Sequence, residues 1–229
     1  MLEENEIAVK VIAVWESIET WGQRNYPELL VSLQVGANET EIEKLTKSIS
    51  QLPDSFLVSL KRHNGQTSRP YLICYQDVYR LYSIDELIEE NEGKGKSIAI
   101  AEANSGDKIW MHLHNEVSFE KDSGVLRQRS HDMGGVPPTV GISYLSWLQG
   151  FASDLEAGRY EVSEYNSLQR KLPTGDDKEE LIAQLAQEVL TEGGGYQQLL
   201  AKLTVAVDQP EWVVLSKISK FTLEYSLQQ

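Results

Sequence analysis

A tryptophan and two histidines occupy alternate positions of one short segment, at Trp110, His112 and His114. Side chains at alternate positions of a β-strand point to the same face, so these three are predicted to share a face. Histidines at this spacing are able to share a metal ion, and a carboxylate such as Glu116 has the chemistry to assist. Zinc sites usually take three or four protein ligands and no second ligand cluster is visible in the sequence, so no metal site is predicted. Tryptophan and histidine combine contact area with hydrogen-bonding atoms, and the segment is interpreted as a partner-binding face.

Other residue patterns imitate catalytic motifs without meeting their requirements. Residues 95–97 (Gly-Lys-Ser) look like the end of a phosphate-binding loop, but the position of its first glycine is Glu90. They also lie between a predicted helix and a predicted strand, the reverse of the required order. Cys74 lies in an apolar stretch where a thiol packs as a small hydrophobic group, and no Gly-x-Ser-x-Gly sequence occurs. Residues 131–132 (His-Asp) are adjacent, and adjacent side chains seldom face each other. The sequence therefore predicts no catalytic residue, no cofactor and no enzyme.

Residues 3–63 are predicted to be mainly helical, because their apolar positions recur at four-and-three spacing. In the first predicted helix these positions are Ile7, Val11, Val14, Ile18 and Trp21. A capping box is predicted at Asn38 and Glu41, followed by apolar positions 42, 45 and 49. Pro53 is predicted to begin a further helix, which ends at a left-handed cap formed by Asn64 and Gly65.

The middle of the chain switches to the alternating pattern of β-strands. Strands are predicted at residues 71–75, 78–82, 97–101, 108–114, 117–120 and 125–129, with turns at 105–107 and 122–124. A capping pair, Ser83 and Glu86, marks a short helix between them, residues 134–138 form a rigid loop, and residues 144–157 form a last helix. This order predicts an α+β fold, with N-terminal helices packed on an antiparallel sheet and a closing helix. The residues of the sheet expected to be buried against the helices are Ile109, Met111 and Leu113.

Several of these stretches, taken in order, resemble a known family. The early ones are residues 36–37 (Gly-Ala), 41–42 (Glu-Ile), 52–53 (Leu-Pro) and 63–66 (His-Asn-Gly-Gln), preceded by Trp15, Ile18, Glu19 and Trp21. The later ones are residues 81–87, 98–101, 105–107 and 124–125, and the helix around Tyr144, Trp147, Leu148 and Phe151. The ordered series, over about residues 11–165, resembles the SUKH superfamily in its Smi/Knr branch.

Resemblance to this branch implies an interaction module. In bacteria it implies an immunity protein that occludes a toxin, often a nuclease, and in fungi it implies a regulator linked to cell-wall synthesis. This sequence has His112 and His114 where more acidic residues are expected in the family, so the binding role of that strand is not carried over from the resemblance.

A change in composition near residue 173 predicts two parts. Residues 173–177 (Pro-Thr-Gly-Asp-Asp) are the best candidate linker, which divides the chain into a SUKH-like domain at 1–172 and an extension at 173–229. Apolar residues at positions 181, 185 and 189 indicate a helix stopped by glycines at 193–195. The extension is predicted to be mainly helical.

The chain of 229 residues is acidic, with 21 lysines and arginines against 35 aspartates and glutamates and a net charge of −14. Such a surface repels phosphate backbones, so nucleic-acid binding is not expected, whereas a basic partner is attracted. No apolar run approaches the roughly 20 residues of a membrane span, and the N-terminus is acidic where a signal peptide is basic. A single cysteine agrees with a reducing compartment. The predicted location is the cytoplasm, without membrane attachment.

These observations predict a non-enzymatic, protein-binding module, namely an immunity-type protein that binds and neutralises a basic toxin. The predicted partner-binding residues are Trp110, His112 and His114, with Asn64 and Gly65 at a nearby edge. Two alternatives remain open at this point. One is a regulatory scaffold or adaptor linked to cell-wall assembly, and the other is an enzyme with a metal or small-molecule site on the sheet face.

Overall fold

The computed structural model describes residues 2–67, 72–74, 77–93, 97–103, 106–113, 125–129, 139–141, 143–162 and 168–171. The helices in these ranges are α1 (Leu2–Asn25), α2 (Pro27–Ser32), α3 (Glu39–Ser48), α4 (Asp54–Arg62), α5 (Ile84–Asn91) and α6 (Tyr144–Glu156). The strands are β1 (Leu72–Cys74), β2 (Asp77–Leu81), β3 (Ser97–Ala103), β4 (Lys108–His112), β5 (Val125–Arg129), β6 (Thr139–Gly141), β7 (Tyr160–Val162) and β8 (Leu168–Arg170). The predicted α+β fold is confirmed, because helices come first, an antiparallel sheet follows and a further helix closes it.

Capping boxes begin three of the described helices. At α3 the Asn38 side chain accepts the N–H of Glu41, and the Glu41 carboxylate accepts the N–H of Asn38 at 2.8 Å. Ser83 and Glu86 begin α5 in the same way, so both predicted boxes are confirmed. Each box satisfies backbone N–H groups that lack a partner in the first turn of a helix, and this local chemistry is readable from sequence.

Strands β1 to β6 form one sheet in sequence order, with every neighbouring pair antiparallel. The tight connection between β3 and β4 uses Gly106 at a φ of +87°, while the N–H of Ala103 donates to the carbonyl of Asp107 at 2.8 Å. Strand β4 lies between β3 and β5, so both of its backbone edges are hydrogen-bonded. A residue on β4 is therefore held by a rigid part of the fold.

The core lies between the helices and one face of the sheet. Ile109 and Met111 of β4 are fully buried, as predicted, whereas Leu113 is only half-buried because it follows the end of the strand. Three helices meet at a buried hydrogen-bond chain, in which the Trp15 indole donates to Ser59 Oγ at 2.8 Å and that oxygen lies 2.8 Å from the Tyr144 hydroxyl. Such pairing offsets the desolvation of polar atoms in an apolar core. Burial also raises the pKa of Tyr144 well above its ordinary value, although the Ser59 hydroxyl opposes the shift.

Some short elements were not predicted from the sequence. These are α2, β6 and the hairpin of β7 with β8. These short elements show no clear period of their own, and they form because neighbouring elements pair or pack with them. The predicted strand at 117–120, the loop at 134–138, the boundary at residue 172 and the C-terminal extension lie outside the described residues.

Asn91, at the end of α5, takes the place of a strand at one edge of β3. Its side chain accepts the N–H of Ala99 at 2.8 Å and donates to the carbonyl of the same residue at 2.9 Å. Strand β2 pairs with β3 only from Ala101 onwards, so the amide continues the pairing where β2 has ended. Asn91 is only 3% exposed, so water has no access to Ala99 here that would replace these two bonds if they were lost.

We expect Asn91→Ala to lower the free energy of unfolding by about 2 kcal/mol or more, since two buried backbone groups lose their partners. Asn25→Ala is the matched control, because the Asn25 amide bonds a carbonyl on the exposed surface of α1. Urea denaturation of both variants measures the difference. Equal losses of stability in the two variants would contradict this role for Asn91.

Candidate functional site

The outer face of β4, which carries Trp110 and His112, is the candidate site on the sheet. Burial alternates along the strand, with Ile109 and Met111 buried and Lys108, Trp110 and His112 half-buried. This alternation places Trp110 and His112 on the face opposite the core, as predicted. His114 lies outside the described residues.

The two described site residues are held in different ways. The His112 ring nitrogen Nδ1 lies 2.7 Å from Ser97 Oγ on the neighbouring strand. Trp110 lies between Ala99 on β3 and Arg127 on β5 in the strand register. Trp110 is half-buried and packs against the core, so its ring is held in place at the outer face.

A network of charged and polar groups lies beside this face. The Arg80 guanidinium donates to Glu86 and to Glu102, each at 2.6 Å, and the Tyr82 hydroxyl donates to Glu102 at 2.9 Å. Burial acts to raise the pKa of Glu86, but bonds from Ser83 and Arg80 outweigh it and hold that pKa below its ordinary value. Burial, followed by the neighbouring Glu102 carboxylate, raises the pKa of Tyr82. These groups pair with one another, so they stiffen the surface.

Lys108 is also bound internally. Its ammonium lies 2.6 Å from a Glu90 carboxylate oxygen, which ties the outer face of β4 to α5. Within the ranges that the structure describes, no group of three or more His, Cys, Asp or Glu side chains is arranged to hold a metal ion.

Asn64 and Gly65, the predicted edge residues, make contacts inside the fold. The Asn64 side-chain oxygen accepts the N–H of Ile84 at 2.8 Å, at the first turn of α5. Gly65 has a φ of +76°, and a Cβ there would lie 2.5 Å from the backbone nitrogen of Ser83. The predicted left-handed cap of α4 is wrong in position. His63, directly after the helix, has an extended backbone, and the positive φ falls two residues later at Gly65. Close approach to the start of α5 is what requires this glycine.

Gln66 follows Asn64 and Gly65 and is also bound inside the fold. Its backbone N–H donates to the carbonyl of Leu81, and its side-chain oxygen accepts the N–H of the same residue at 3.1 Å. Its side-chain nitrogen donates to Ser32 Oγ at 2.9 Å. Gln66 is fully buried and connects α2 with β2. A glutamine after an Asn-Gly pair carries no signal for such a role, because its partners are distant in sequence.

Arg62 and His63 join the end of α4 to α1 through the Glu19 carboxylate. Arg62 donates to both oxygens of Glu19, at 2.8 and 2.5 Å, and the His63 ring nitrogen Nε2 lies 2.7 Å from the same group. The His63 ring also meets the Trp15 indole edge-on, with centroids 4.8 Å apart. The bonds from Arg62 lower the pKa of Glu19, burial opposes them, and His63 lowers it further.

No protein-family model matches this chain, and no curated protein matches it either. The resemblance to the SUKH superfamily therefore stays a prediction. None of the helices in the described ranges has the length and apolar character to cross a membrane.

We expect Gly65→Ala to be more harmful than Gly106→Ala, although both glycines have positive φ. The left-handed conformation itself costs roughly 1–2 kcal/mol for a residue with a Cβ. At Gly65 the added Cβ also meets backbone atoms at 2.5 Å, whereas at Gly106 nothing lies within 4 Å. Urea denaturation should show the larger loss for Gly65→Ala, and similar losses would mean that the close approach is not a constraint.

We expect stability to depend on the charge of Glu19 in acid. Its lowered pKa means that stabilisation is complete above the ordinary glutamate pKa of about 4.3 and is lost as the pH falls through the folded-state value. Denaturation between about pH 5 and pH 3 should show a shallower loss of stability for Glu19→Gln than for the parent. The exposed Glu89 on α5 supplies the control variant, Glu89→Gln, whose slope should follow the parent. An unchanged slope in Glu19→Gln would remove this ion pair as a source of acid sensitivity.

Proposed function

We propose that this chain is a non-enzymatic, protein-binding module of the SUKH type, and that it acts as an immunity protein which binds and neutralises a basic toxin. The observation that carries the proposal is the outer face of β4, where Trp110 is partly open on a strand paired along both edges. Binding energy in protein interfaces concentrates on a few residues, among which tryptophan is enriched. A rigid anchor also loses little conformational freedom when a partner binds.

The edge beside Asn64 and Gly65 supports a wider contact. The N–H of Gln34 donates to the carbonyl of Gly65 at 3.0 Å, and the next residue, Val35, is 92% exposed. Asn64 and Gly65 have internal roles, so the contribution of this edge comes from its shape and from the apolar Val35. A single valine in a loop carries no signal of a binding role, so Val35 was not among the predicted residues.

The charge of the protein supports a basic partner. The net charge of −14 attracts positive proteins and speeds their encounter with this chain. Long-range attraction comes from the net charge of the whole chain, while Trp110 contributes to the lifetime of the complex. The proposed place of action is the cytoplasm, where a single cysteine stays reduced.

Identification of the partner tests the proposed function. The tagged chain is used to purify partners from a lysate of its own source cell, and each captured protein is expressed alone and together with this chain. We expect a basic protein that stops growth when expressed alone, and we expect co-expression to restore growth. A captured partner that is acidic or harmless would contradict the proposal, as would a toxic partner that co-expression leaves toxic.

With that partner in hand, we expect Trp110→Ala to raise the dissociation rate about tenfold or more, while Trp110→Phe has a smaller effect. Added salt should mainly slow association, and its effect should level off once charges are screened beyond about 10 Å at 0.1 M salt. Surface plasmon resonance separates the two rates, and thermal denaturation checks that each variant is folded. Unchanged affinity in Trp110→Ala would remove this face from the interface even if the partner is correct.

A further inference from the structure

An open groove of about 550 Å³ lies between α1 and the end of α6, in the helical part of the fold. Trp21 and Glu16 of α1 line it from one side, and Glu156 of α6 lines it from the other. The site on the sheet face does not use these residues, and none of them entered the sequence analysis as a binding group.

Trp21 provides an aromatic surface in the groove. The indole is half-buried, since it packs against the core while it also lines the groove. The face of an indole ring attracts cations, and guanidinium groups in particular stack on it. An aromatic group in this position favours a flat, positively charged ligand.

Glu156 lies where a negative charge is unfavourable for folding. It is the last residue of α6, and the C-terminal end of a helix already carries a partial negative charge. The last turn of α6 contains no basic residue, and the nearby Arg159 is bound to Asp154. The Ser17 hydroxyl donates to one Glu156 oxygen, which orients the carboxylate towards α1.

Arg24 also lines the groove, at the end away from Glu16. It lies two turns of α1 beyond Glu16, or about 12 Å along the helix axis. In the part of the chain that the structure describes, Arg24 forms no ion pair with Glu16 or Glu156. The groove therefore presents two carboxylates and the end of a helix dipole at one end and the Arg24 guanidinium at the other, with the Trp21 indole between them.

We propose that this groove binds an arginine side chain of a basic partner protein, with the guanidinium over Trp21 and its N–H groups donating to Glu156 and Glu16. Arginine fits better than lysine because its planar group both stacks on a ring and donates to a carboxylate through two N–H groups. The inference rests on the proposed function only for the protein that supplies the arginine. The recognition itself follows from the groove.

A pair of short peptides tests the recognition without the partner. Acetyl-Gly-Arg-Gly-amide and its citrulline analogue have nearly the same shape, but citrulline is uncharged. NMR titration of the ¹⁵N-labelled full chain should show a saturable shift of the Trp21 indole N–H signal with the arginine peptide, at millimolar concentration. The citrulline peptide should produce no such shift. Loss of the signal in Trp21→Phe assigns it.

Two variants test the carboxylate. Glu156→Gln should weaken binding of the arginine peptide about threefold, as expected for an exposed ion pair. It should also raise Tm by roughly 1–3 °C, because it removes a negative charge from the end of α6. Glu89→Gln makes the same charge change on an exposed position of α5 and should alter neither quantity.

Three results would overturn the inference: no shift of the Trp21 signal, equal response to both peptides, or equal effects of Glu156→Gln and Glu89→Gln. A Tm that does not rise in Glu156→Gln would contradict the electrostatic argument behind it. These outcomes are independent of the growth test, so a neutralised toxin together with a silent groove would leave the proposed function standing. A groove that binds the arginine peptide, in a chain with no toxic partner, would support this inference and contradict the proposed function.

Discussion

The buried amide of Gln66 is the polar interaction on which the connection between α2 and β2 depends. It pairs with the backbone of Leu81 and with the hydroxyl of Ser32, so one side chain connects β2 with α2. Polar groups with no access to water need partners, and these atoms pair with one another in a single arrangement. The flanking residues follow from the same requirement. Gly65 lets the backbone approach Ser83, and Asn64 uses its side chain to begin α5.

The same constraint reaches the outer face of the sheet. Arg80 donates to the carbonyl of Gln66 and to two carboxylates, and one of these also accepts the hydroxyl of Tyr82. Gln66 and the polar network on the surface therefore belong to one set of hydrogen bonds. The groups on this face already have fixed positions, so they would lose little conformational freedom when a partner binds. This property suits a protein whose proposed action is occlusion.

Charge in this molecule is of two kinds. The carboxylates of Glu19 and Glu86 are bound by arginines, and their lowered pKa values show that the folded state favours their ionised forms. Glu156 is different, since it sits at the negative end of a helix with no basic residue in its own last turn. Functional surfaces commonly retain groups that do not favour folding, because binding and not stability selects them. The contrast separates the acidic residues that hold the fold from Glu156, which lines the proposed arginine-binding groove.

Local features of this protein were readable from its sequence. The capping boxes at Asn38 and Ser83, the period of α1 and the alternation along β4 all involve residues close in the chain, so their chemistry is visible without a fold. Short elements such as α2 and β6 were not readable, because their neighbours and not their own residues stabilise them. The role of Gln66, and the groove lined by both Trp21 and Glu156, depend on contacts between distant segments. Those contacts exist only after the chain has packed, since burial is what makes a particular partner necessary.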